Sequence, residues 1–470
     1  MNPNTRDTRR GFITKTAAAA AGSFFAPNII IAQEGGGKKL NFAGIGAGGK
    51  GESDISGAAA GANIVAFCDV DRDRLKKLQE KYPDAKTFDN FPEMFEKMGD
   101  KIDGVTISTP DHAHYPAAME AIKRGKHVCV QKPLVNRIWE ANQLHQAAKK
   151  KGVKTNMGNQ GHTGEGIRLL NEWIAAGIIG NVQEIHVWTN RPIWPQGNSA
   201  KEKIKPGPLP KIKVGPKGQE VEKELDINWS AWLAQCPEIP YTGGLHPFAW
   251  RGSLEYGAGA MGDMGCHLLD GPFWACGLGE PYKLEAECDE LTDITWPKSS
   301  HVVCHFKTAK FGEVKLHWYE GGRKPERPAE LEETRDWNKI SGGFLIKGDG
   351  GTILNTDDYC GSPRVIPEAK FKVWLTDKAP AKSLERSLAP GNPQLELVKA
   401  IEQDKICGSN FDYSVPLTKL CLFGNLAILN PGKVIEWDSA TQEIKGNPEA
   451  NKALKRAAVR DGWDYSADKI

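Results

Sequence analysis

At 470 residues the chain is too long for one ordinary core, and at about 100 to 200 residues per domain it divides into two or three, of which two is the simpler reading. Hydrophobic residues make up 40% and charged residues 26%, the balance of a globular protein without disordered or fibrous bias. The net charge of +2 leaves no electrostatic footprint for nucleic acid, which needs clustered positive charge on a large scale.

The first segment reads as an address rather than as fold. Arg9-Arg10-Gly11-Phe12-Ile13 precedes a mildly apolar, alanine-rich stretch over residues 16–26 that is too short to span a bilayer stably. This is the order of a twin-arginine export signal, expected to cover residues 1–32 and to deliver a periplasmic protein with no membrane span in its mature form. Such export carries folded proteins, so a cofactor can be loaded beforehand and is expected to stay tightly bound where little free cofactor is available. The ten cysteines include no C-x-x-C pair. Cys68 and Cys129 fall in apolar runs and Cys266 in a helix-like stretch, so most read as buried thiols.

From residue 38 to 157 apolar strands alternate with amphipathic helices, the pattern of a parallel sheet covered on both faces. Strands are expected at 40–45, 64–68, 105–108 and 127–130, and helices at 71–81, 115–124 and 137–150. Lys149-Lys150-Lys151-Gly152 puts positive charge in a last turn ahead of glycine, a helix stop. Residues 158–470 change texture. A helix at 167–176 is followed by strands at 182–189, 300–306, 312–319 and 343–346, separated by long polar loops at 199–226 and 320–343. The fold class is therefore α/β, a Rossmann domain followed by an α+β domain with a large, mostly antiparallel open sheet.

Gly46-Ala47-Gly48-Gly49-Lys50-Gly51 satisfies G-x-G-x-x-G between a strand and a helix. A second register begins at Gly44. The later one lets the strand run to Ile45 and sets the third glycine where helix meets strand. Asp69 ends the next apolar run, where a carboxylate accepts from an adenosine ribose and repels a 2′-phosphate. NAD is accordingly favoured, with Arg72 and Arg74 keeping NADP open. Thr109, Pro110, His112 and His114 follow one strand, and Gln131-Lys132-Pro133 another, so both groups lie at the carboxyl edge where such sheets bind ligands. A lysine there can exchange a proton with a substrate hydroxyl. Two alternating histidines without a third ligand do not make a metal site. In the stretch after Gly262, Asp263 and His267 stand four residues apart on one helical face, where the carboxylate can hold the imidazole.

At these residues the chain resembles the glucose–fructose oxidoreductase, inositol dehydrogenase and rhizopine-catabolism (Gfo/Idh/MocA) family. The likeness covers the glycine loop, Thr109-Pro110, His114, Lys132-Pro133 and the Asp263 to His267 pair. It continues through Ile227-Asn228-Trp229, the stretch from His246 to Gly252, Asn410-Phe411-Asp412 and Asp461-Gly462-Trp463, segments that look like an exported branch. The resemblance implies that Gly46, Gly48, Gly49, Lys50, Gly51, Asp69, Thr109, Pro110, His114, Gln131 and Lys132 serve the cofactor. Lys132 would contact nicotinamide ribose and substrate, His267 would take the hydroxyl proton as hydride leaves the carbon, and Asp263 would steer that transfer. It further implies a sugar, cyclitol or glycoside as substrate and an open sheet that forms a homo-dimer or tetramer. Asn159, Gln160, His162, Trp250 and Arg251 are candidates for holding the sugar. Gln131 departs from the family's usual glutamate and removes a negative charge beside Lys132. Two other functions compete with a sugar oxidoreductase: a redox-neutral glycosidase working by oxidation, elimination and re-reduction, and a non-catalytic sugar- or cofactor-binding protein.

Overall fold

Strands β1 (Asn41–Ile45), β2 (Asn63–Cys68), β3 (Lys86–Phe88), β4 (Gly104–Ile107), β5 (His127–Val130) and β6 (Thr155–Met157) pair in parallel. In this computed structural model, which describes residues 39–214 and 220–470, they form one sheet in the order β3-β2-β1-β4-β5-β6. The direction of winding reverses between β1 and β4, where a doubly wound sheet leaves a crevice beyond its strand ends. The register sets Cys68, Ile45, Ile107, Val130 and Met157 in one row. The residues that follow each of them, Asp69, Gly46, Ser108, Gln131 and Gly158, therefore leave the sheet at the same level. The twin-arginine segment lies outside the described residues.

Helices α1 (Lys50–Ala59), α2 (Arg72–Gln79), α3 (Phe91–Met98), α4 (Asp111–Lys123) and α5 (Ile138–Lys151) connect these strands. Helix α4 begins four residues earlier than the sequence suggests, and Pro116 is the reason. Proline suits a first turn, so it draws the expected start toward itself. Here it sits inside the helix, where it withholds the N–H that would pair with the His112 carbonyl, and Gln235 Nε2 donates to that carbonyl instead, at 3.2 Å. The lysine-rich end of α5 stops as expected on Gly152, in the left-handed region at φ 64°.

After helix α6 (Glu165–Ala175), strand β7 (Val182–Trp188) joins a nine-stranded mixed sheet. Its other strands include β10 (Lys283–Cys288), β11 (Ser300–Thr308), β12 (Gly312–Glu320) and β13 (Gly343–Gly348), and only β7 with β12 pair in parallel. Alternation along β11 and β12 buries Val302, Cys304, Phe306, Val314, Leu316 and Trp318 in one core, onto which the long helix of residues Phe411–Ile428 packs at β10 and β11. The polar stretch 199–226, expected as a loop, holds a hairpin of β8 (Lys211–Val214) and β9 (Val221–Glu224). Strand β9 is mostly exposed and so carries no apolar alternation to read.

The helix Pro393–Glu402 returns to the N-terminal sheet, where Leu397 and Val398 share a core with Phe42, Ala58, Ala62 and Cys129. All ten cysteines are free thiols; the Cys266 and Cys421 sulfurs approach to 3.7 Å. No helix among the described residues is long and apolar enough to cross a membrane.

Candidate active site

A cleft of about 490 Å³ opens beyond the carboxyl ends of β1, β2, β4 and β5. Its floor is the glycine loop. Gly46 has φ +93° and a Cβ there would lie 2.4 Å from the Ser108 carbonyl oxygen, while one on Gly51 would lie 2.1 Å from the Gly46 carbonyl oxygen. Gly51 is thus where α1 packs on the end of β1. Gly44 lies within β1. Gly49, at φ +57°, precedes α1, whose N-terminus carries no side-chain cap. The Gly51 N–H turns back to the Gly48 carbonyl oxygen at 3.0 Å and the Ser53 N–H to that of Gly49 at 3.4 Å, while the helix start at Gly49 and Lys50 borders the cleft, where a helix N-terminus favours an anion. Thr109 Oγ1, also in the cleft wall, is buried without a partner. A crowded glycine cradle, an uncapped helix start and an orphaned hydroxyl fit a dinucleotide.

Asp69 braces this loop. Its Oδ2 accepts from the N–H groups of Ala47 (2.7 Å) and Gly48 (3.2 Å), and its Oδ1 from that of Asp71 (2.9 Å). Burial pushes its carboxyl above the usual range, with Arg74 opposing. Lys50 turns back to pair with Asp54 of α1. The buried Asp54 carboxylate also accepts from Ser108 Oγ (2.7 Å) and Gln131 Nε2 (2.7 Å). Pro110 precedes α4, and His114 packs beneath, its ring nitrogens meeting the carbonyl oxygens of Pro133 (2.8 Å) and Thr109 (2.9 Å). Burial lowers the His114 pKa to about 4, so the neutral ring donates to one of these two carbonyl oxygens and only packs against the other.

The other end of the cleft is charged. Lys132 Nζ donates to the Asp263 carbonyl oxygen (2.7 Å) and to its Oδ1 (3.1 Å), and Arg251 Nε donates to the same Oδ1 (3.3 Å). Burial alone would raise the Asp263 carboxyl, but Lys132 and Arg251 hold it below its ordinary value. Arg251 lies over the Trp250 ring at 4.3 Å and the Phe248 ring at 4.7 Å. His267, one helical turn beyond Asp263 on Gly259–Leu268, is buried with Nδ1 unpaired. Burial, reinforced by the Lys132 charge, takes its pKa well below the ordinary value. Asp263 makes no hydrogen bond to it; two cations have claimed the carboxylate.

The remaining sugar candidates separate. Trp250 and Arg251 line the cleft. Asn159 and His162 do not: Asn159 Nδ2 donates to Asp270 (2.9 Å), His162 Nδ1 lies 3.0 Å from the same carboxylate, and Tyr413 donates to it at 2.5 Å. His162 stacks on Trp274 at 4.9 Å, so both are packed into a polar cluster within the core. Gln160 sits between, partly buried with Oε1 unpaired. Sequence reasoning missed Asp54 and Asp111. Asp111 opens α4 in the cleft wall and accepts from the Ala258 N–H at 3.0 Å. Burial raises its pKa to about 7, with Arg251 opposing and Asp263 adding. The only available signal was its place right after Thr109-Pro110.

Fold and cleft define a two-domain protein of the dinucleotide-binding class, with a lysine, an arginine and two carboxylates gathered at the carboxyl edge of its parallel sheet. Residues 40–159 match the family model described as "Oxidoreductase family, NAD-binding Rossmann fold". The chain is 23% identical over 150 residues to glucose-6-phosphate 3-dehydrogenase of Bacillus subtilis (strain 168), a match covering 32% of this chain and 41% of that one. It is 36% identical over 114 residues to a glycosyl hydrolase family 109 protein of Streptomyces filamentosus, covering 21% and 22%. These matches span less than half the length of the curated relatives. The solved WlbA dehydrogenase of Bordetella pertussis, in complex with NADH and UDP-GlcNAcA, superposes with a TM-score of 0.57 at 16% identity over 85% of this chain and 99% of that one, a likeness of fold.

Proposed function

We propose that this chain oxidises a secondary hydroxyl of a sugar or cyclitol with a tightly bound NAD. The observation that carries this reading is the convergence of Lys132, Asp263 and Arg251 at one end of a cleft whose other end is the glycine cradle. When bound, the nicotinamide supplies the two-electron acceptor for a carbinol carbon. Two of the three Lys132 ammonium hydrogens are taken by Asp263, which leaves one for a substrate hydroxyl. That donor stabilises negative charge growing on the oxygen. His267, held neutral by burial one turn beyond Asp263, is the acceptor proposed for the hydroxyl proton, taken at Nε2 because Nδ1 is enclosed. Asp263 orients Lys132 rather than the imidazole. Arg251, backed by the buried Trp250 ring beneath it, offers a charged donor to a sugar hydroxyl.

Denaturing the purified protein, identifying the released nucleotide and screening sugars for a nicotinamide absorbance change in the intact protein tests the reading. Lys132→Ala and His267→Asn are expected to lower turnover by about 10²-fold or more each while the nucleotide stays bound. Undiminished turnover in either variant would remove its residue from the reaction. The similarity to a family 109 glycosyl hydrolase favours a second reading, in which oxidation, elimination and re-reduction cleave a glycoside. Aglycone released from an aryl glycoside without any added acceptor marks this alternative and sinks a simple dehydrogenase. We also propose that the twin-arginine segment delivers the loaded protein to the periplasm and that the outer face of the nine-stranded sheet pairs copies of the chain.

A further inference from the structure

Residues 221–251 supply most of a small apolar core that also takes in Ile204, Tyr256 and Val70. Trp232, Leu233, Leu245 and Trp250 are buried together, and Val70 of the nucleotide-binding domain packs into them. This segment is stitched to the chain that follows Asp69. The Asn228 N–H donates to the Val70 carbonyl oxygen (2.8 Å) and the Arg72 N–H to that of Asp226 (3.0 Å), so that Asp71 and Ile227 pair as an antiparallel bridge. Side chains repeat the stitch. Arg72 bonds Asp226 Oδ1 at 2.7 Å and Asp89 at 2.5 Å, Lys223 Nζ reaches Asp73 at 2.6 Å, and His246 Nε2 lies 3.4 Å from Asp71. From this position Trp232, Pro247 and Phe248 overhang the cleft opposite the glycine loop, and Trp463 closes it beside Phe91, which it meets edge-on at 5.5 Å.

A ligand laid along the glycine loop places its ribose at the end of β2, and this is where the stitch runs. We propose that residues 221–251 are a clasp that retains the dinucleotide between turnovers and selects the form without a 2′-phosphate. Retention follows because the segment that carries Trp232 and Pro247 is tied to the nucleotide-binding domain by the backbone pairing at 70–72, so that loosening this pairing loosens the cover of the cleft. Selectivity follows because Arg72, one of two arginines available to a 2′-phosphate, is committed to Asp226 and Asp89. The pair brings two carboxylates to the same edge, beside Asp71 and Asp73, and a phosphate there would meet like charge. Arg74, the other arginine, is turned onto Asp71 at 3.3 Å.

The inference rests on the NAD reading above, and the test separates their failures. The holoprotein is loaded with NADH and chased with excess NAD, the loss of bound NADH fluorescence giving the release rate in the natural chain, in Asp226→Asn and in Asp226→Lys. Asp226 is partly exposed, so both variants are expected to fold, and circular dichroism checks it. Loss of an exposed ion pair worth up to about 1 kcal/mol predicts release about three- to fivefold faster in Asp226→Asn. Asp226→Lys adds repulsion toward Arg72 and is expected to release faster still and to gain NADP affinity relative to NAD. Equal release rates in three folded proteins, or an unchanged NADP preference in Asp226→Lys, overturn the clasp. A protein that binds neither nucleotide overturns the NAD reading as well.

Discussion

Asp111→Asn tests one buried acid in the cleft wall. Holding the Asp111 pKa at about 7 rather than 3.8 means that the folded chain binds a proton there that the unfolded chain has lost. Stability from this group is therefore fully present below about pH 4 and is lost as pH rises through 7. At 1.36 kcal/mol for each tenfold in proton affinity, the raised pKa costs the fold about 2 kcal/mol at pH 5, where the folded group still holds its proton, and about 4 kcal/mol at pH 8. Asparagine keeps an oxygen for the Ala258 N–H and never ionises. The melting temperature of Asp111→Asn minus that of the natural protein should thus rise by roughly 3 °C between pH 5 and pH 8 for a chain of this length. Scanning calorimetry of both nucleotide-free proteins at the two pH values measures it, and shared titrations cancel in the difference. A gap that is constant, or that narrows toward pH 8, would falsify the burial argument and make Asp111 an ordinary ionised carboxylate.

Other variants probe the remaining parts. Gly51→Ala drives a Cβ against the Gly46 carbonyl oxygen and is expected to lower nucleotide occupancy at least tenfold, read by the absorbance of the purified protein; normal occupancy refutes the packing argument. Glu320 is buried at the end of β12, where Trp318 Nε1 donates to it at 2.9 Å and burial raises its pKa to about 7. Glu320→Gln should therefore melt higher than the natural chain at pH 8, with the advantage shrinking toward pH 5 and turnover unaltered. Asp270→Asn removes the charge that Asn159, His162 and Tyr413 surround; it is expected to cost about 1–3 kcal/mol of stability, seen as a lower melting temperature, without changing the KM for sugar.

The parts of this structure that could be read from sequence are those where a residue's neighbours in the chain decide its place. Apolar runs gave the parallel strands, and a glycine pattern directly after one of them located the cradle because only a backbone without Cβ passes at that distance. Lys132 was legible from its strand end, and Arg251 from its aromatic neighbours. What stayed hidden depends on partners far along the chain. Asn159 and His162 border the first domain and so looked like site residues, yet Asp270, more than a hundred positions on, holds both inside the core. Asp263 and His267 share a helical face as the spacing implies, but spacing is silent on the cations from β5 and from residue 251 that take the carboxylate. The clasp was invisible for the same reason: residues 221–251 carry scattered aromatic and aliphatic side chains without a periodicity that names their partner.

Gln131 shows how far that silence extends. In the sequence it removes a negative charge beside Lys132. In the structure its amide donates to Asp54, a buried carboxylate on α1 that Lys50 and Ser108 also hold. A carboxylate is therefore still present behind the strand end, moved from β5 to the first helix, and a glutamate at 131 would set two acids against each other with no proton between them. Gln131→Glu is then expected to destabilise the protein by about 1–3 kcal/mol, since one of two buried carboxylates within hydrogen-bond reach must take up a proton or lose its partner. Adding Asp54→Asn restores one donor and one acceptor with their positions exchanged, and most of the loss should return, leaving a coupling energy above about 1 kcal/mol in the double-mutant cycle. Additive losses in that cycle, measured by thermal or urea unfolding, would mean that Gln131 and Asp54 do not act as a pair.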